Sequence, residues 1–331
     1  MTIRVGINGF GRIGRNYLRS ALDRGHQVVA VNDIADPATL GYLLKYDSTY
    51  GPLGFDVGVD GSDLLVADRR IPVLSERDPA DLDWGSYGTD VVIESTGRFR
   101  RREDAAMHLK SGARKVVLSS PGKDADATLV IGVNEETYDP ALHDVISNAS
   151  CTTNCVAPMV KVLNDTFGVV KGYLTTIHGY TNDQVVLDSP HKDLRRGRTA
   201  AVNMIPTSTG AAKALGEVIP ELAGRFGGMA LRVPVEDGSL VDLACVLKRP
   251  VTAEEVNAAF LEAGGSLGRV IRYTTDPLVS RDIIGEAASC VLDASLTQAQ
   301  GDLVKVFGWY DNEWGYTNRL ADLVEYITAR H

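Results

Sequence analysis

The sequence predicts an α/β protein in which a domain with a parallel sheet is followed by an α+β domain with a mostly antiparallel sheet. Three observations carry this prediction. Strand-like and helix-like segments alternate from the N-terminus to about residue 150, which is typical of a parallel sheet. A glycine-rich turn joins the first strand to the first helix. After about residue 170, strand-like runs follow one another with few helices between them, which favours antiparallel pairing.

The first strand, Ile3 to Ile7, leads directly into Gly9-Phe10-Gly11-Arg12-Ile13-Gly14. A helix from Arg15 to Asp23 and a strand from Val28 to Asp33 complete a βαβ unit. Glycines in such a turn let the backbone approach a pyrophosphate at the helix N-terminus. Asp33 stands where a carboxylate accepts bonds from the adenosine ribose and repels a 2′-phosphate. The unit predicts a Rossmann-type site for NAD rather than NADP; the alternative is a purely structural glycine turn.

More strand–helix alternation follows in the first half of the chain. The predicted elements are a helix at 36–46, a hairpin pairing 55–59 with 64–66, buried strands at 90–95, 115–120 and 144–148, and a helix at 103–111. Ligands of open α/β sheets bind beyond the carboxyl ends of the strands. Ser119 lies near the carboxyl end of the strand at 115–120, so we expect it to line the cofactor crevice.

In the second half, a helix is predicted to begin at Cys151 and to be followed by a succession of strands with further helices between and after them. The strands are expected at 173–178, 229–235, 239–247, 269–273, 289–292 and 303–310, with a helix at 252–263 opened by a Thr252–Glu255 capping box and a C-terminal helix at 316–327. We predict an NAD-binding domain at 1–150, a catalytic domain at 151–315 and a C-terminal helix at 316–331.

Cys151 is the candidate nucleophile. Ser150 and Thr152 offer hydroxyls at the start of its helix, and Pro158 suggests that the helix starts nearby, because proline fits the first turn. The positive end of a helix dipole lowers the pKa of a thiol. The alternative, a buried structural cysteine, is about equally well supported by this stretch alone.

A cysteine nucleophile needs a base, and His178 at the end of a strand in the same domain is the best candidate. The alternative is that His178 is a surface or satisfied core residue, as lone histidines usually are. His26, His108, His143 and His331 are expected to be solvated, and His191 lies in a basic loop. A metal site is not expected, because Cys151 and Cys155 have neither zinc-knuckle nor redox spacing. The sequence places Cys155, Cys245 and Cys290 among small core residues.

Two groups of residues indicate anion binding. Arg195, Arg196 and Arg198 lie in the loop after His178, and Arg232 lies inside an apolar strand, where an unpaired charge is costly. Residues 206–213, rich in hydroxyls, open a helix that can bind phosphate. Internal ion pairs, subunit contacts and simple helix capping are the alternatives. A thiol beside a hydride acceptor favours oxidation of an aldehyde to a thioester on the cysteine. The two anion sites favour a phosphorylated aldehyde as the substrate and phosphate as the group that releases the thioester.

Composition limits the other classes of function. A hydrophobic content of 44% with 23% charged residues is typical of globular proteins. A net charge of −9 argues against a broad nucleic-acid surface. No secretory signal, membrane-spanning run or disulfide framework is recognisable, so the expected location is the cytoplasm, with no membrane partner.

Over essentially its whole length the sequence resembles phosphorylating glyceraldehyde-3-phosphate dehydrogenase of glycolysis. The matching stretches are Gly6 to Arg15, Ala149 to Cys155, His191 to Arg196, Pro206 to Lys213 and Trp309 to Tyr316. The motif at 150–155 is specific to this family, whereas the glycine motif is not.

The resemblance implies roles for individual residues. Cys151 is the implied nucleophile and His178 its activator. The implied cofactor-binding residues are Gly9, Gly11, Arg12, Ile13, Asp33, Arg77, Ser119 and Asn312. The site for the substrate's own phosphate is implied to comprise Thr181 and Arg232, with Arg196 close by, and the site for inorganic phosphate Ser150, Thr152, Thr209 and Gly210. A homotetramer is also implied, as is packing of the C-terminal helix on the cofactor domain.

Several positions depart from the family pattern. Gly179 and Gly197 stand where larger residues are usual and are expected to loosen the loop. Glu236 and Asp237 are expected to alter the field near Arg232. Ser189 is small and polar and leaves room for a 2′-phosphate, which weakens the argument for strict NAD use. The negative charge of Asp33 repels that phosphate, and we give this charge more weight. The rival functions are oxidation of erythrose 4-phosphate with hydrolytic release, and a non-catalytic NAD-binding regulatory role.

Overall fold

A computed structural model describes residues 2–330. The chain divides into two compact units. Unit 1 contains the chain up to Leu129, Glu135–Ala149 and the chain from Thr317. Unit 2 contains Val130–Asn134 and Ser150–Tyr316. The division into functional domains stays a prediction.

Unit 1 is built on a nine-stranded sheet with the order β3-β4-β5-β2-β1-β6-β7-β9-β8. Its strands are β1 (Arg4–Asn8), β2 (Gln27–Asn32), β3 (Val57–Asp60), β4 (Asp63–Val66), β5 (Arg69–Leu74), β6 (Val91–Glu94), β7 (Lys115–Leu118), β8 (Ala127–Thr128) and β9 (Val145–Ser147). All neighbours pair in parallel except β3–β4 and β4–β5, which form the predicted hairpin and its extension. The unbroken apolar runs of β6 and β7 are fully buried, as expected for central parallel strands.

Four helices connect these strands: α1 (Arg12–Arg24), α2 (Pro37–Lys45), α3 (Arg102–Ala105) and α4 (Met107–Lys110). α1 ends at Gly25, which adopts the left-handed conformation with φ of 74°. Asp36 caps α2 by accepting the N–H groups of Ala38 and Thr39. The single helix predicted at 103–111 is wrong, since two short helices meet at Ala106.

Unit 2 contains an eight-stranded sheet. Its strands are β10 (Val169–Gly179), β11 (Ile205–Thr207), β12 (Phe226–Val233), β13 (Ser239–Leu247), β14 (Ile271–Thr274), β15 (Cys290–Asp293), β16 (Gln298–Gln300) and β17 (Leu303–Tyr310). The order is β11-β12-β10-β13-β17-β15-β14, with β16 paired to β17. β10–β12 and β14–β15 are parallel and the remaining pairs antiparallel, which confirms the mostly antiparallel sheet.

The helices of this part of the chain are α5 (Cys151–Phe167), α6 (Ala211–Val218), α7 (Ala253–Ser266) and α8 (Trp314–Thr328). The capping box predicted at Thr252 and Glu255 opens α7. α5 starts at Cys151 as predicted, but the argument from Pro158 was wrong. Pro158 lies inside the helix, two turns after its start, where it removes one backbone donor. The hydroxyl cap at Ser150, rather than the proline, marks the start of α5.

The C-terminal part of α8 contacts α1 within unit 1 through charged side chains. Arg24 Nη1 donates to Asp322 Oδ1 at 2.5 Å and to Glu325 Oε1 at 2.9 Å. His26 Nε2 lies 3.2 Å from the same Glu325 oxygen. The bond to His26, followed by Arg24, lowers the pKa of Glu325 to about 2.

This carboxylate predicts an acid-sensitive contribution to stability. An unfolded Glu titrates near pH ~4.3, so its contribution is complete above that pH and is lost as pH falls towards 2. Because Glu325 is 37% exposed, we expect Glu325→Gln to cost only about 0.5–1 kcal/mol near neutral pH. Urea unfolding should show that the difference from the unmutated chain shrinks below about pH 4. Glu262→Gln, at an exposed site on α7, is the matched control; a pH-independent loss in Glu325→Gln would contradict this account.

Candidate active site

α5 presents Cys151 at its first residue. The Ser150 side chain caps the helix by accepting the N–H of Thr153 at 3.0 Å, and Asn154 Nδ2 donates to the Ser150 carbonyl at 3.0 Å. Ala149, immediately before, adopts a left-handed φ of 55°, which turns the chain sharply into the helix. Cys151 is partly exposed, whereas Cys155, one turn later, is buried. The sequence therefore places one reachable sulfur at a capped helix start.

His178, the penultimate residue of β10, lies next to the Cys151 sulfur. Its Nε2 lies 3.4 Å from Cys151 Sγ. Its Nδ1 lies 2.7 Å from the Gly179 carbonyl oxygen, which can only accept a hydrogen bond. Arg232 Nη1, which can only donate, lies 3.0 Å from the same nitrogen but also donates to the Gly179 carbonyl oxygen at 3.0 Å. Because the contact between Nδ1 and the carbonyl is the shorter one, we assign the ring proton to Nδ1, which leaves Nε2 to accept the thiol proton. The Tyr310 ring packs edge-on against the imidazole, with centroids 5.9 Å apart, and holds its orientation.

Arg232 lies beside His178 because β12 pairs with β10 in a register that puts the two residues opposite each other. Its Nη1 is 3.0 Å from the Gly179 carbonyl oxygen and 3.4 Å from Thr181 Oγ1. Its Nε is buried without a hydrogen-bond partner. Within residues 2–330, no salt bridge to a carboxylate neutralises this guanidinium. A buried cation with an unused donor is arranged to receive an anionic ligand.

The electrostatic setting differs from the sequence prediction. Burial raises the pKa of the Cys151 thiol to about 11, although Arg232 and hydrogen bonds from Thr152 oppose it. The expected lowering by the helix start is wrong, because desolvation of the thiolate outweighs it. Burial, followed by Arg232, lowers the pKa of His178 to about 3. Near pH 7 both groups are neutral, which makes His178 a proton acceptor rather than a resident cation.

The other predicted phosphate-binding residues make hydrogen bonds with several different partners. Thr152 Oγ1 bonds to the Tyr310 hydroxyl at 3.0 Å, so Tyr310 joins Thr152 to the histidine. Arg196 pairs with Asp183, and its Nε donates to Thr207 at 3.0 Å. Thr209 Oγ1 accepts the Ala211 N–H at 3.3 Å, where α6 begins at Gly210.

Asn312 is fixed by Ser239, which the sequence analysis did not assign to the site, and by Asp237, which it named only for its charge. Its side-chain oxygen accepts the Ser239 hydroxyl, and its backbone N–H donates to Asp237 Oδ1 at 3.1 Å. Asp237 also bonds to Asp311, whose pKa is raised by burial. Asp237 is 2% exposed, so its effect on the site comes through the position of Asn312 as well as through its charge. No short-range pattern distinguishes these supporting residues; only pairing of distant strands brings them to Asn312.

The positions that differ from the family pattern also have structural explanations. A Cβ at Gly179 would lie 3.0 Å from the Val235 carbonyl oxygen, and one at Gly197 would lie 2.7 Å from that of Ser189. Both glycines therefore permit close backbone approach, a packing role in addition to the loosening of the loop that the sequence predicts. Glu236 forms an ion pair with Arg281, which offsets its charge. Ser189 is exposed, and its N–H donates to the Gly197 carbonyl at 2.9 Å.

Unit 1 contains a groove of about 240 Å³ at the carboxyl ends of its parallel strands. Its lining residues include the predicted Gly9, Gly11, Asp33 and Arg77. The other lining residues are Asn8, Asn32, Ile34, Glu76, Ser95, Thr96, Arg98 and Phe99. Arg12, at the start of α1, pairs with Asp47 and packs over the Tyr50 ring. Ser119 lies just beyond β7, and its N–H donates to the Glu94 carbonyl at 3.0 Å.

The glycine turn has the shape that a dinucleotide requires. A Cβ at Gly9 would lie 2.6 Å from the Thr96 nitrogen and one at Gly14 would lie 2.2 Å from the Gly9 oxygen, whereas a Cβ at Gly11 meets nothing within 4 Å. Gly9 and Gly14 thus serve the packing of the turn, and Gly11 leaves its surface open. No side chain caps the start of α1, so backbone donors there can meet a pyrophosphate. The Asp33 carboxylate is held by the N–H groups of Phe10, at 2.8 Å, and Ala35, at 3.0 Å, and so fits a ribose-binding role.

Two histidines expected to be solvated are buried in unit 1. His26 is 3% exposed and lies 3.0 Å from the Tyr17 hydroxyl. His108 is fully buried; Trp84 Nε1 donates to its Nδ1 at 2.9 Å, and its Nε2 lies 3.0 Å from Glu94. Tertiary packing decides these positions, since a lone histidine carries no signal of its burial.

The described residues, 2–330, include no helix long and apolar enough to cross a bilayer and no cluster of three metal-ligating side chains.

Comparisons with known proteins give the family. Residues 3–102 match the glyceraldehyde 3-phosphate dehydrogenase NAD binding domain, and residues 150–312 match the C-terminal domain of the same family. The chain is 58% identical to glyceraldehyde-3-phosphate dehydrogenase of Streptomyces coelicolor, over 99% of both chains. It is 55% identical to the enzyme of that name from Geobacillus stearothermophilus and 56% identical to glyceraldehyde-3-phosphate dehydrogenase 1 of Bacillus subtilis, over 100% of this chain and 99% of each relative. The chain belongs to the glyceraldehyde-3-phosphate dehydrogenase family, whose members are NAD-dependent oxidoreductases of glycolysis.

Proposed function

We propose that Cys151 is the nucleophile in the oxidation of D-glyceraldehyde 3-phosphate by NAD and that His178 is its base. The observation that carries this proposal is the 3.4 Å approach of Nε2 to Sγ, with the ring proton on the opposite nitrogen. In this arrangement the thiol proton passes to Nε2 while sulfur adds to the aldehyde carbon. Both groups start neutral, so no separated charges have to be maintained in a poorly hydrated site before substrate binds.

The reaction then follows from the same two side chains. As sulfur adds, the proton on His178 Nε2 passes to the aldehyde oxygen and gives a hemithioacetal on Cys151. The neutral Nε2 then takes the hydroxyl proton as the carbon is oxidised to a thioester. NAD, when bound, supplies the hydride acceptor. Inorganic phosphate attacks the thioester, which releases 1,3-bisphosphoglycerate and restores the Cys151 thiol. Phosphate attack needs an anion site of its own, for which the start of α6 is the candidate.

We assign the substrate's phosphate to Arg232 and Thr181, with Arg196 nearby. The unused Arg232 Nε and the absence of an ion-pair partner within residues 2–330 support this assignment. A bound dianion would also offset the effect of Arg232 on His178 and raise the pKa of the base. Inorganic phosphate is assigned to Ser150, Thr152, Thr209 and Gly210, at the starts of α5 and α6.

Arg232→Leu tests the assignment of the substrate's phosphate. Loss of the guanidinium should lower kcat/KM for glyceraldehyde 3-phosphate by about 10²-fold, because a desolvated charge pair is removed. Unphosphorylated glyceraldehyde, which lacks the partner anion, serves as the control substrate and should be affected much less. Equal losses with both aldehydes would mean that Arg232 acts only through His178.

Cofactor binding is assigned to the groove of unit 1, through Gly9, Gly11, Arg12, Ile13, Asp33, Arg77 and Ser119, with Asn312 of unit 2 holding the carboxamide of the nicotinamide. Unit 1 is thus proposed as the NAD-binding domain, with the C-terminal part of α8 belonging to it, and unit 2 as the catalytic domain. The interactions of Arg24 with α8 support this division.

Asp33→Asn isolates the charge that selects NAD. Its side-chain oxygen can still accept a backbone hydrogen bond, while repulsion of a 2′-phosphate disappears. In the unmutated chain we expect kcat/KM with NADP to be at least about 10²-fold lower than kcat/KM with NAD. In the variant we expect the difference between the two cofactors to be about 10-fold smaller. The measurement is kcat/KM with each cofactor, with Asp68→Asn at an exposed site as the control. Comparable NAD and NADP rates in the unmutated chain would overturn the assignment.

A homotetramer is proposed as the assembly. The loop after β10 exposes large apolar side chains, including Val186 at 83%, Leu187 at 74% and Leu194 at 86%, which another copy would cover. The cytoplasm is the proposed location, because a reactive thiol persists in a reducing compartment. With a net charge of −9, neither nucleic acid nor an anionic membrane is a proposed partner.

Erythrose 4-phosphate with hydrolytic release is the second candidate, because Arg232 would receive its phosphate equally well. The hydroxyls and helix starts assigned to inorganic phosphate favour phosphorolysis instead.

A further inference from the structure

A chain of hydrogen bonds crosses the carboxyl ends of four neighbouring parallel strands in unit 1. It begins at Glu94, the last residue of β6, whose Oε2 accepts from Asn8 Nδ2 at 2.6 Å. Asn8 ends β1, and its Oδ1 accepts from Asn32 Nδ2, at the end of β2, at 2.7 Å. The backbone of Glu76, beyond β5, completes the chain: its N–H donates to Asn32 Oδ1 at 2.8 Å, and its carbonyl accepts from Asn32 Nδ2 at 2.9 Å. Neither amide can be reversed without bringing two donors or two acceptors together.

Glu94 is the buried acceptor at which this chain starts. It is 3% exposed, and within residues 2–330 four donors meet its two oxygens. Besides Asn8, they are His108 Nε2, at 3.0 Å from Oε2, and the N–H and hydroxyl of Thr96, both on Oε1. Trp84 Nε1 can only donate and lies 2.9 Å from His108 Nδ1, so the ring proton is on Nε2 and points to Glu94. Only a carboxylate, which accepts at both oxygens and donates at neither, satisfies this arrangement.

The chain lies along the groove to which cofactor binding is assigned. The groove is lined by Asn8, Asn32, Glu76 and Thr96. Thr96 Oγ1 also accepts the Arg98 N–H at 3.1 Å, so Glu94 anchors the turn that follows β6. β2 and β5 lie on one side of β1, and β6 and β7 on the other. The chain therefore crosses the sheet where the strand order reverses, which is where dinucleotides bind to such sheets.

We propose that Glu94 is a positioning residue for the cofactor, because its carboxylate orients the Asn8–Asn32 chain and the Thr96 turn that line the groove. This inference rests on the proposed cofactor site in unit 1. Glu94 is buried and is not one of the groove's lining residues, so it acts through these neighbours. A polar network of this kind is rigid when each member is satisfied and costly when one is not.

Glu94→Gln tests the proposal, because it replaces one acceptor by an NH₂ group at almost constant size. If the new amide oxygen keeps the Thr96 donors, the NH₂ group faces the donors of Asn8 and His108. The opposite orientation places the NH₂ group against the two Thr96 donors. Asn8 cannot turn its amide to compensate, since Asn32 uses its oxygen. In either orientation a residue that lines the groove has to move.

The measurement is an equilibrium titration of the full-length chain with NAD and with NADH. We expect the dissociation constant (Kd) for NAD to rise about 10-fold and that for NADH by a similar factor, because both cofactors occupy the same groove. The kcat at saturating NAD should change less than about twofold, since the reacting groups lie in unit 2. His108→Leu removes one donor from Glu94 at a residue that does not line the groove, and should raise both constants about threefold. This milder variant keeps the test available if Glu94→Gln does not fold.

Lys115→Met is the matched control for a loss of stability alone. Lys115 is another buried charged residue of the same sheet, at the amino end of β7, and is 3% exposed. Its Nζ donates to the carbonyl oxygens of Pro140 and His143 and to Asp144 Oδ1. Urea unfolding should show a lower free energy of unfolding for both Lys115→Met and Glu94→Gln. Only Glu94→Gln should bind NAD more weakly, whereas a merely structural role of Glu94 predicts the same affinity in both.

An unchanged Kd in folded Glu94→Gln, or an equal rise in Lys115→Met, would overturn the proposal. A loss confined to NAD would also contradict it, because the charge of Glu94 would then act directly on the positive nicotinamide ring. Asp33→Ala tests the cofactor site separately. If Asp33→Ala weakens NAD binding and Glu94→Gln does not, only the positioning role fails; if neither variant weakens it, the groove is not the cofactor site.

Discussion

Cys151→Ser should lose about 10⁴-fold or more of the dehydrogenase kcat while its affinity for NAD is retained. Serine is nearly isosteric with cysteine and preserves the capped start of α5, so the fold should be unaffected. Its hydroxyl is a far weaker nucleophile, and His178 cannot compensate for this difference. The proposed NAD-binding residues of unit 1 are untouched, which is why cofactor binding should persist.

Steady-state formation of NADH and a direct titration of NAD binding check this prediction. Cys245→Ser is the control, because it makes the same atomic change in a buried strand and should keep full activity. Residual activity of Cys151→Ser above a few per cent would remove Cys151 from the role of nucleophile.

His178→Asn should lower kcat/KM by about 10²- to 10⁴-fold, the range typical of a positioned general base. Its pH dependence is the more specific signature. The Cys151 thiol has a pKa of about 11, so without an internal base only solvent can supply the thiolate. Below that pKa the thiolate fraction rises about tenfold per pH unit, and the rate of the variant should rise with it.

The unmutated chain should behave differently, because the pKa of His178 is about 3 and its imidazole is neutral at higher pH. Its Nε2 accepts the proton during addition, so the rate should depend much less on pH between about 6 and 9. His143→Asn, at a partly exposed position, provides the matched control. Parallel pH profiles for His178→Asn and the unmutated chain would show that the imidazole is not the base.

Local patterns in the sequence predict a large part of the fold. Alternation of strands and helices, the glycine turn and the Thr252 capping box were each interpretable within short windows, and their elements formed as expected. The helix at 103–111 was predicted from the same kind of pattern and instead divides at Ala106. Pro158 shows a second limit of local patterns. Proline usually occupies the first turn of a helix, whereas the structure has Pro158 in the interior of α5, where it is buried by packing.

The site is less accessible to such patterns. Cys151 and His178 could be singled out by residue type and by their places at element ends, whereas their 3.4 Å contact depends on the packing of α5 against the sheet. Desolvation reversed the expected direction of the thiol pKa, and desolvation is a property of the folded surroundings. Ser239, Asp237 and Tyr310 support the reacting groups through strand pairing across long stretches of chain, which no motif announces.

The most direct test of the central claim measures NADH formation from glyceraldehyde 3-phosphate and NAD, with inorganic phosphate present and then absent. The proposed thioester on Cys151, released by phosphate bound near the starts of α5 and α6, predicts sustained turnover only when phosphate is present. Turnover that is indifferent to phosphate would mean that water releases the thioester. That result would contradict the second anion site and favour oxidation of erythrose 4-phosphate with hydrolysis.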